Sequence, residues 1–277
     1  MTATEEHPAH LPHGPSGAHR WLICTDSPHA EAGYPNETSE AADEGTAAHW
    51  LLEQCLSFGW SAEEAALKFD EVIPASREAG TKWSWPITGE MIEAVQVHLD
   101  EVDNWAGFPK LKRGARLWAE ERVVLPAHYE LKSPVGGTAD TIIYLMRSKT
   151  LVVLDFKYGR GKVVEVEDDT HPINPQIGLY MCAAMAQLER LLGKPAEVNW
   201  VVGGIIQPRA YHKAGPVRTK KLYHLQLIQL EAAVLDAVNG PKVRVAGEHC
   251  HWCRAKQDCA EHHAWRGEKA TGAFVAE

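Results

Sequence analysis

The 277-residue chain is 45% hydrophobic and 23% charged, the balance of a soluble globular protein long enough to bury a large core as one elaborated domain or two. A formal net charge of −9 excludes a protein that coats DNA through bulk positive charge, although a narrow basic groove beside an acidic site stays open. No apolar run could span a bilayer and Met1-Thr2-Ala3-Thr4-Glu5-Glu6 is no signal peptide, so a cytoplasmic protein without membrane contact is expected.

Residues 1–17, rich in His, Pro and Gly, are expected to form a flexible arm ahead of a single domain over 18–277. Within that domain, 18–110 read as helical, 111–240 as a sheet core and 241–277 as a cysteine-rich segment. Ser16 to Cys24 predicts a short capped helix, and Ser27 to Ser39 is turn-rich. A helix is predicted from Gly45 to Leu56 with Thr46 as N-cap, placing His49 and Glu53 on one face. A histidine there is ordinarily structural. Further helices are expected at 62–69 and 88–105. Arg116 to Leu125 reads as a strand in which Glu120 alternates with Trp118 and Arg122, ordinarily a solvated position.

Gly136 to Leu145 and Leu151 to Gly159, joined by Arg147-Ser148-Lys149-Thr150, predict a β-hairpin. Its first run opens on an acid and its second closes on one, so antiparallel pairing brings Asp140 and Asp155 to the same end. Alternation puts Asp155 and Lys157 on one face. Two neighbouring carboxylates repel unless a cation sits between them, and oxygen ligands suit Mg²⁺ or Mn²⁺. Lys157 could then hold a water or a scissile phosphate. A lone Asp-x-Lys is ordinarily a surface ion pair, but the apolar run Leu151-Val152-Val153-Leu154 before it reads as buried.

Gly159-Arg160-Gly161-Lys162 is a tight basic turn, followed by acidic residues from Glu165 to Asp169. Asn174 to Met185 predicts a helix with Asn174 as N-cap, Pro175 first, and Gln176 and Tyr180 on one face. Val198 to Ile206 is an apolar strand. Pro208 to Lys221 reads as a basic loop in which Arg209, Lys213, Arg218, Lys220 and Lys221 either face solvent or track a phosphate backbone. Leu222 to Val238 is again helical. This order fits a mixed sheet with helices on both sides.

Three cysteines, Cys250, Cys253 and Cys259, fall within ten positions, too tight for a core explanation of all three. Without an export signal, metal or an iron–sulfur cluster is a better reading than disulfides. Cys24 is the natural fourth ligand and would clip the two ends of the chain together. The rival is zinc, with His262 or His249 completing the set. Cys55 and Cys182 read as buried thiols.

Taken together, these elements fall in a known order. Cys24, His49, Glu120, Asp140, Asp155 with Lys157, Gln176 with Tyr180, and the three closing cysteines resemble the PD-(D/E)XK nuclease superfamily in its RecB-like iron–sulfur branch. Phage-encoded relatives share the Ser-x-x-His-Arg-Trp-Leu-x-Cys opening matched by Ser16 to Cys24. Ala139-Asp140 replaces the hallmark Pro-Asp, and the flanking sequence leaves Glu120 or Glu121 as the inward acid. The resemblance implies an α/β, restriction-endonuclease-like core whose mixed sheet is flanked by helices, with its termini joined by a 4Fe–4S cluster. It implies a divalent ion held by His49, Asp140, Asp155 and the Phe156 carbonyl, with Glu120 direct or through water. Lys157 would orient the attacking water and stabilise charge on the phosphate, and Gln176 and Tyr180 would position the strand or the metal-bound water. The expected activity is Mg²⁺- or Mn²⁺-dependent DNA hydrolysis, exonucleolytic at ends or single strands, in recombination, repair or replication, with a partner protein from one of those processes. Arg160, Lys162 and the basic loop would contact DNA. The alternatives are a nucleic-acid-binding scaffold with a vestigial core, against which intact Asp140, Asp155 and Lys157 weigh, and a zinc-stabilised regulatory domain.

Overall fold

The computed structural model describes residues 11–36, 39–69, 72–73 and 85–275. A 3-10 turn (Pro15–Gly17) leads into α1 (Ala18–Trp21), α2 (Ser27–Glu31), α3 (Glu40–Phe58), α4 (Ala62–Lys68), β1 (Val72–Ile73), β2 (Trp85–Pro86) and α5 (Gly89–Ala106). There follow β3 (Ala115–Val124), β4 (Gly136–Leu145), β5 (Thr150–Phe156), α6 (Pro175–Ala186), α7 (Leu188–Leu192), β6 (Trp200–Ile206), β7 (Val217–Tyr223), α8 (Ile228–Asn239) and α9 (Ala260–Val275). None of the described helices is long and apolar enough to cross a membrane.

Strands β3 to β7 make one mixed sheet in chain order. β3, β4 and β5 run antiparallel, β6 returns parallel to β5 after α6 and α7, and β7 closes the far edge antiparallel. Alternation along the two hairpin strands divides the core. Ile142, Leu151 and Val153 pack with α6 and α8 on one face, whereas Ile143, Val152 and Leu154 pack with α3 and α5 on the other. Helices therefore cover both faces of the sheet. Two glycines let α6 sit close: a Cβ on Gly203 of β6 would come within 2.6 Å of Ile173, and one on Gly178 within 2.5 Å of Leu230.

Local chemistry fixes the helix ends. Asn174 caps α6 by accepting the Gln176 N–H at 2.9 Å, with Pro175 in the first position as expected. α3 starts earlier than its pattern suggested, at Glu40, because Ser39 accepts the Ala42 N–H at 3.2 Å and Glu40 and Asp43 favour the first turn. Thr46 lies inside that helix and donates to the Ala42 carbonyl instead.

Two expectations change. Residues 11–17 are packed, not a flexible arm: Leu11, His13 and Pro15 are buried, His13 bonds Ser133 at 3.0 Å, and Trp21 donates to the Gly14 carbonyl at 2.9 Å. Residues 1–10 lie outside the described residues. The basic loop is also partly strand, since Val217–Tyr223 is β7. Arg218, buried on the inner side of an edge strand, breaks the apolar alternation that would have marked it.

Candidate metal and active site

Beyond the last hairpin partners, Thr141 and Leu154, the register sets Asp140 opposite Asp155. Asp140 Oδ2 accepts the Phe156 N–H at 2.6 Å, which anchors the first acid to the strand carrying the second. His49, projecting from α3, puts Nδ1 3.3 Å from Asp140 and 3.7 Å from Glu120. These three side chains form the one group of potential ligands gathered within 4.8 Å among the described residues. Lys157 Nζ donates to Asp155 Oδ1 at 3.3 Å and lies 3.0 Å from Oδ2. Gln176 Nε2 reaches Asp155 Oδ1 from α6 at 3.0 Å, and Tyr180 is buried one turn along. Residues from both faces of the sheet thus converge on one end of the hairpin.

The charges are unevenly satisfied. Burial alone would lower the His49 pKa, but the Asp140 charge and hydrogen bonds to Asp140 and Glu120 push it up to about 10. Burial raises Asp140, yet the His49 charge and the Phe156 N–H outweigh it and hold that carboxyl low. Asp155 goes the other way: burial raises it, Lys157 opposes and the Asp140 charge adds. Its Oδ2 is buried without a hydrogen bond, because the nearby ammonium meets it at short distance but outside bonding geometry. Asp155 lies outside the group gathered within 4.8 Å, but its unbonded buried oxygen, within electrostatic reach of Asp140 and His49, fits a hard divalent cation.

Glu120 and Glu121 are separated by the backbone. Glu120 stands at φ 46, in the left-handed region unfavourable to a side chain, and faces His49. Glu121 turns outward to Arg190 at 3.0 Å. A residue that sequence reasoning missed lies underneath. His98 of α5 is fully buried, its Nε2 is 2.8 Å from Thr141 Oγ1, and its ring and that of His49 flank Phe156 at 5.6 and 5.4 Å. Burial lowers its pKa to about 4, so it stands neutral. A histidine among Met91, Ala94, Val95, Leu99 and Val102 on one apolar helix face was the available signal.

The basic residues divide. Arg218 is buried and donates to the Gly215 and Val164 carbonyls at 3.1 and 2.8 Å, so it is a structural clasp and not a DNA contact. Arg209 is likewise structural: 8% exposed, it lies 4.0 Å above the Tyr158 ring and pairs with Glu44 and Glu90, each at 3.1 Å. Arg160 pairs with Glu90, Lys220 with Glu167, and Lys221 sits over Trp200. Lys162 and Lys213 are exposed.

Far along the sequence, residues 20–34 pack on residues 241–258. Arg20 pairs with Glu31 at 2.8 Å, Asp26 with Arg244 at 2.7 Å, and Tyr34 donates to Asp258 at 2.6 Å. Cys24 lies within this clasp, and Cys250, Cys253 and Cys259 lie on the facing segment, all as free thiols. Burial raises the Cys253 pKa, and Glu31, Arg20 and Cys250 all lie within its electrostatic reach. Of the histidines considered for zinc, His249 bonds the Val245 carbonyl at 2.8 Å and His262 that of Lys256 at 2.9 Å.

Fold and site together define an α/β protein with a mixed five-stranded sheet, helices on both faces, and a carboxylate–histidine cluster at one sheet end. The chain belongs to the DUF2800 family, described as "Protein of unknown function (DUF2800)", whose model matches residues 10–274. The crystal structure of a "Putative exonuclease" from Eubacterium rectale is similar, with 13% identity and a TM-score of 0.42 over 92% of this chain and 93% of that one.

Proposed function

We propose that this protein is a metal-dependent DNA nuclease of the PD-(D/E)XK superfamily, in its RecB-like branch, hydrolysing phosphodiester bonds at DNA ends or in single strands. The reading rests on one observation: Asp140, Asp155 and Lys157 share one end of the hairpin, where His49 and Gln176 reach them from opposite faces. His49, Asp140, Asp155 and the Phe156 carbonyl would hold Mg²⁺ or Mn²⁺, with Glu120 direct or through water. When bound, that ion supplies Lewis-acid stabilisation of charge on the phosphate. The protein's own groups do the rest. Lys157 orients the attacking water and donates to the phosphate oxygen, while Asp155, itself held by the Gln176 amide, keeps its ammonium in place. Tyr180, buried one turn along α6, would position the strand or the metal-bound water together with Gln176. Exposed Lys162 and Lys213 are the remaining candidates for backbone contacts, with Arg160 available once Glu90 releases it. Recombination, repair or replication, with a partner protein from that process, is the setting the motif order supports.

Cys24, Cys250, Cys253 and Cys259 would carry a structural 4Fe–4S cluster. Zinc is the rival occupant, with His249 or His262 completing a Cys₃His set.

End-labelled single- and double-stranded DNA incubated with Mn²⁺ tests the activity. Degradation by wild type, absent in Asp155→Ala and Lys157→Ala, is expected. Equal degradation by all three would show a contaminant and sink the reading.

A further inference from the structure

The cysteine junction is stitched by protein contacts placed on both sides of each thiol segment. Two residues after Cys24, Asp26 donates its N–H to the Val243 carbonyl at 3.2 Å and takes Arg244 on its carboxylate at 2.7 Å. Thr25 donates to the Pro241 carbonyl and accepts the Val243 N–H, each at 2.8 Å. Four residues before Cys24, Arg20 donates to Glu31 Oε2 at 2.8 Å and reaches the Trp252 carbonyl at 3.5 Å. Glu31 Oε1 accepts the N–H of Arg254, the peptide following Cys253, at 2.8 Å. Tyr34 then bonds Asp258, the residue before Cys259, and its carbonyl accepts Arg254 Nη1 at 3.0 Å.

Glu31 is the centre of this network and is only 3% exposed. A buried carboxylate is tolerated when both oxygens are paired, and here one oxygen holds the helix leading to Cys24 while the other holds the peptide after Cys253. Small metal domains work differently, since their ligands are assembled by the ion and are unfolded without it.

We propose that Glu31 is a positioning residue that assembles the thiol nest before any inorganic group enters, so that the cluster fills a junction the protein has already closed. This rests on the cluster reading given above. Its oxygens fix Cys24 and Cys253 relative to one another, and Tyr34 extends the same hold to Cys259. Removing the carboxylate frees the cysteine segment while leaving the sheet intact, because no strand depends on it.

The test uses full-length protein stripped of metal, comparing wild type with Glu31→Ala, Glu31→Gln and Tyr34→Phe. Hydrogen exchange should show amides 250–259 protected in wild type and opening roughly tenfold faster or more in Glu31→Ala, with amides 151–156 unchanged. Glu31→Gln, which keeps an acceptor for Arg254, should fall between, and Tyr34→Phe should loosen only the Cys259 end. Reconstitution with ferrous iron and sulfide should load Glu31→Ala several-fold less than wild type. Free exchange of 250–259 in metal-free wild type would overturn the proposal, as would wild-type iron loading by Glu31→Ala. Failure of wild type to take up iron would sink the cluster reading alone, leaving hydrogen exchange to decide the role of Glu31.

Discussion

The acidic end of the sheet and the cysteine junction both bury charge, yet they treat it in opposite ways. At the junction, both Glu31 oxygens are paired and Asp26 holds Arg244, and of the charged groups there only Arg20 Nε lacks a hydrogen-bond partner among the described residues. At the sheet end, Asp155 keeps an unbonded buried oxygen, Glu120 holds an unfavourable backbone angle, and a charged histidine fills the space between two acids. A charge network that closes on itself stabilises a fold. One left open at a strand end stores strain that a ligand can relieve. The difference separates the part of this molecule that holds from the part proposed to act.

Substitutions at the two places should therefore move activity and stability in different directions. The largest effect is expected at Asp155. Asp155→Asn should lower DNA cleavage by roughly a thousandfold or more while raising the Tm of metal-free protein, because burial and Asp140 both disfavour its charge. Glu31→Gln should do the reverse and lower the Tm. Cleavage rates and thermal unfolding of both variants decide it, and a lower Tm for Asp155→Asn would collapse the contrast. Next, Lys157→Met should reduce kcat by about a hundredfold with little change in Mn²⁺ affinity, read by single-turnover kinetics and calorimetry.

The pH dependence of metal binding is the third test. His49 is protonated below about pH 10 in metal-free protein, and an imidazole must lose that proton to ligate. Mn²⁺ affinity should therefore rise with pH by up to about tenfold per unit between pH 7 and 9, with one proton released per ion. Calorimetry in buffers of different ionisation enthalpy counts that proton, and His49→Gln should abolish it. The stability that protonated His49 lends the metal-free fold is fully present below its ordinary value of 6.5 and is lost as pH rises through about 10.

The smallest effect concerns the basic residues. Arg218→Gln should cost about 2 kcal/mol of stability by leaving its carbonyl partners unpaired, without changing the salt dependence of DNA binding. Lys162→Gln should do the opposite, reducing the salt slope by about one and leaving the Tm alone.

These contrasts track what the chain's pattern could reveal. Period-two alternation and two acids at matching ends of a hairpin made the meeting of Asp140 with Asp155 readable, because register is a local property. The order of cysteines pointed to a junction between the ends. The pattern did not show which arginines turn inward. Arg209 and Arg218 resemble any loop cation until Glu44, Glu90 and the Val164 carbonyl, distant in sequence, arrive beside them. β7 was hidden for the same reason, with an arginine occupying a core-facing position. His98 and Glu31 were also invisible in their roles, since each is defined by partners on another element.

The most direct measurement is a crystal of the protein soaked in Mn²⁺, with anomalous scattering recorded at the manganese edge. The account predicts a peak at the strand end within about 2.0–2.3 Å of oxygens from both Asp140 and Asp155, with His49 Nδ1 or Nε2 as a further ligand. A well-loaded crystal whose manganese lies elsewhere, with His49 still wedged between Asp140 and Glu120, would contradict it.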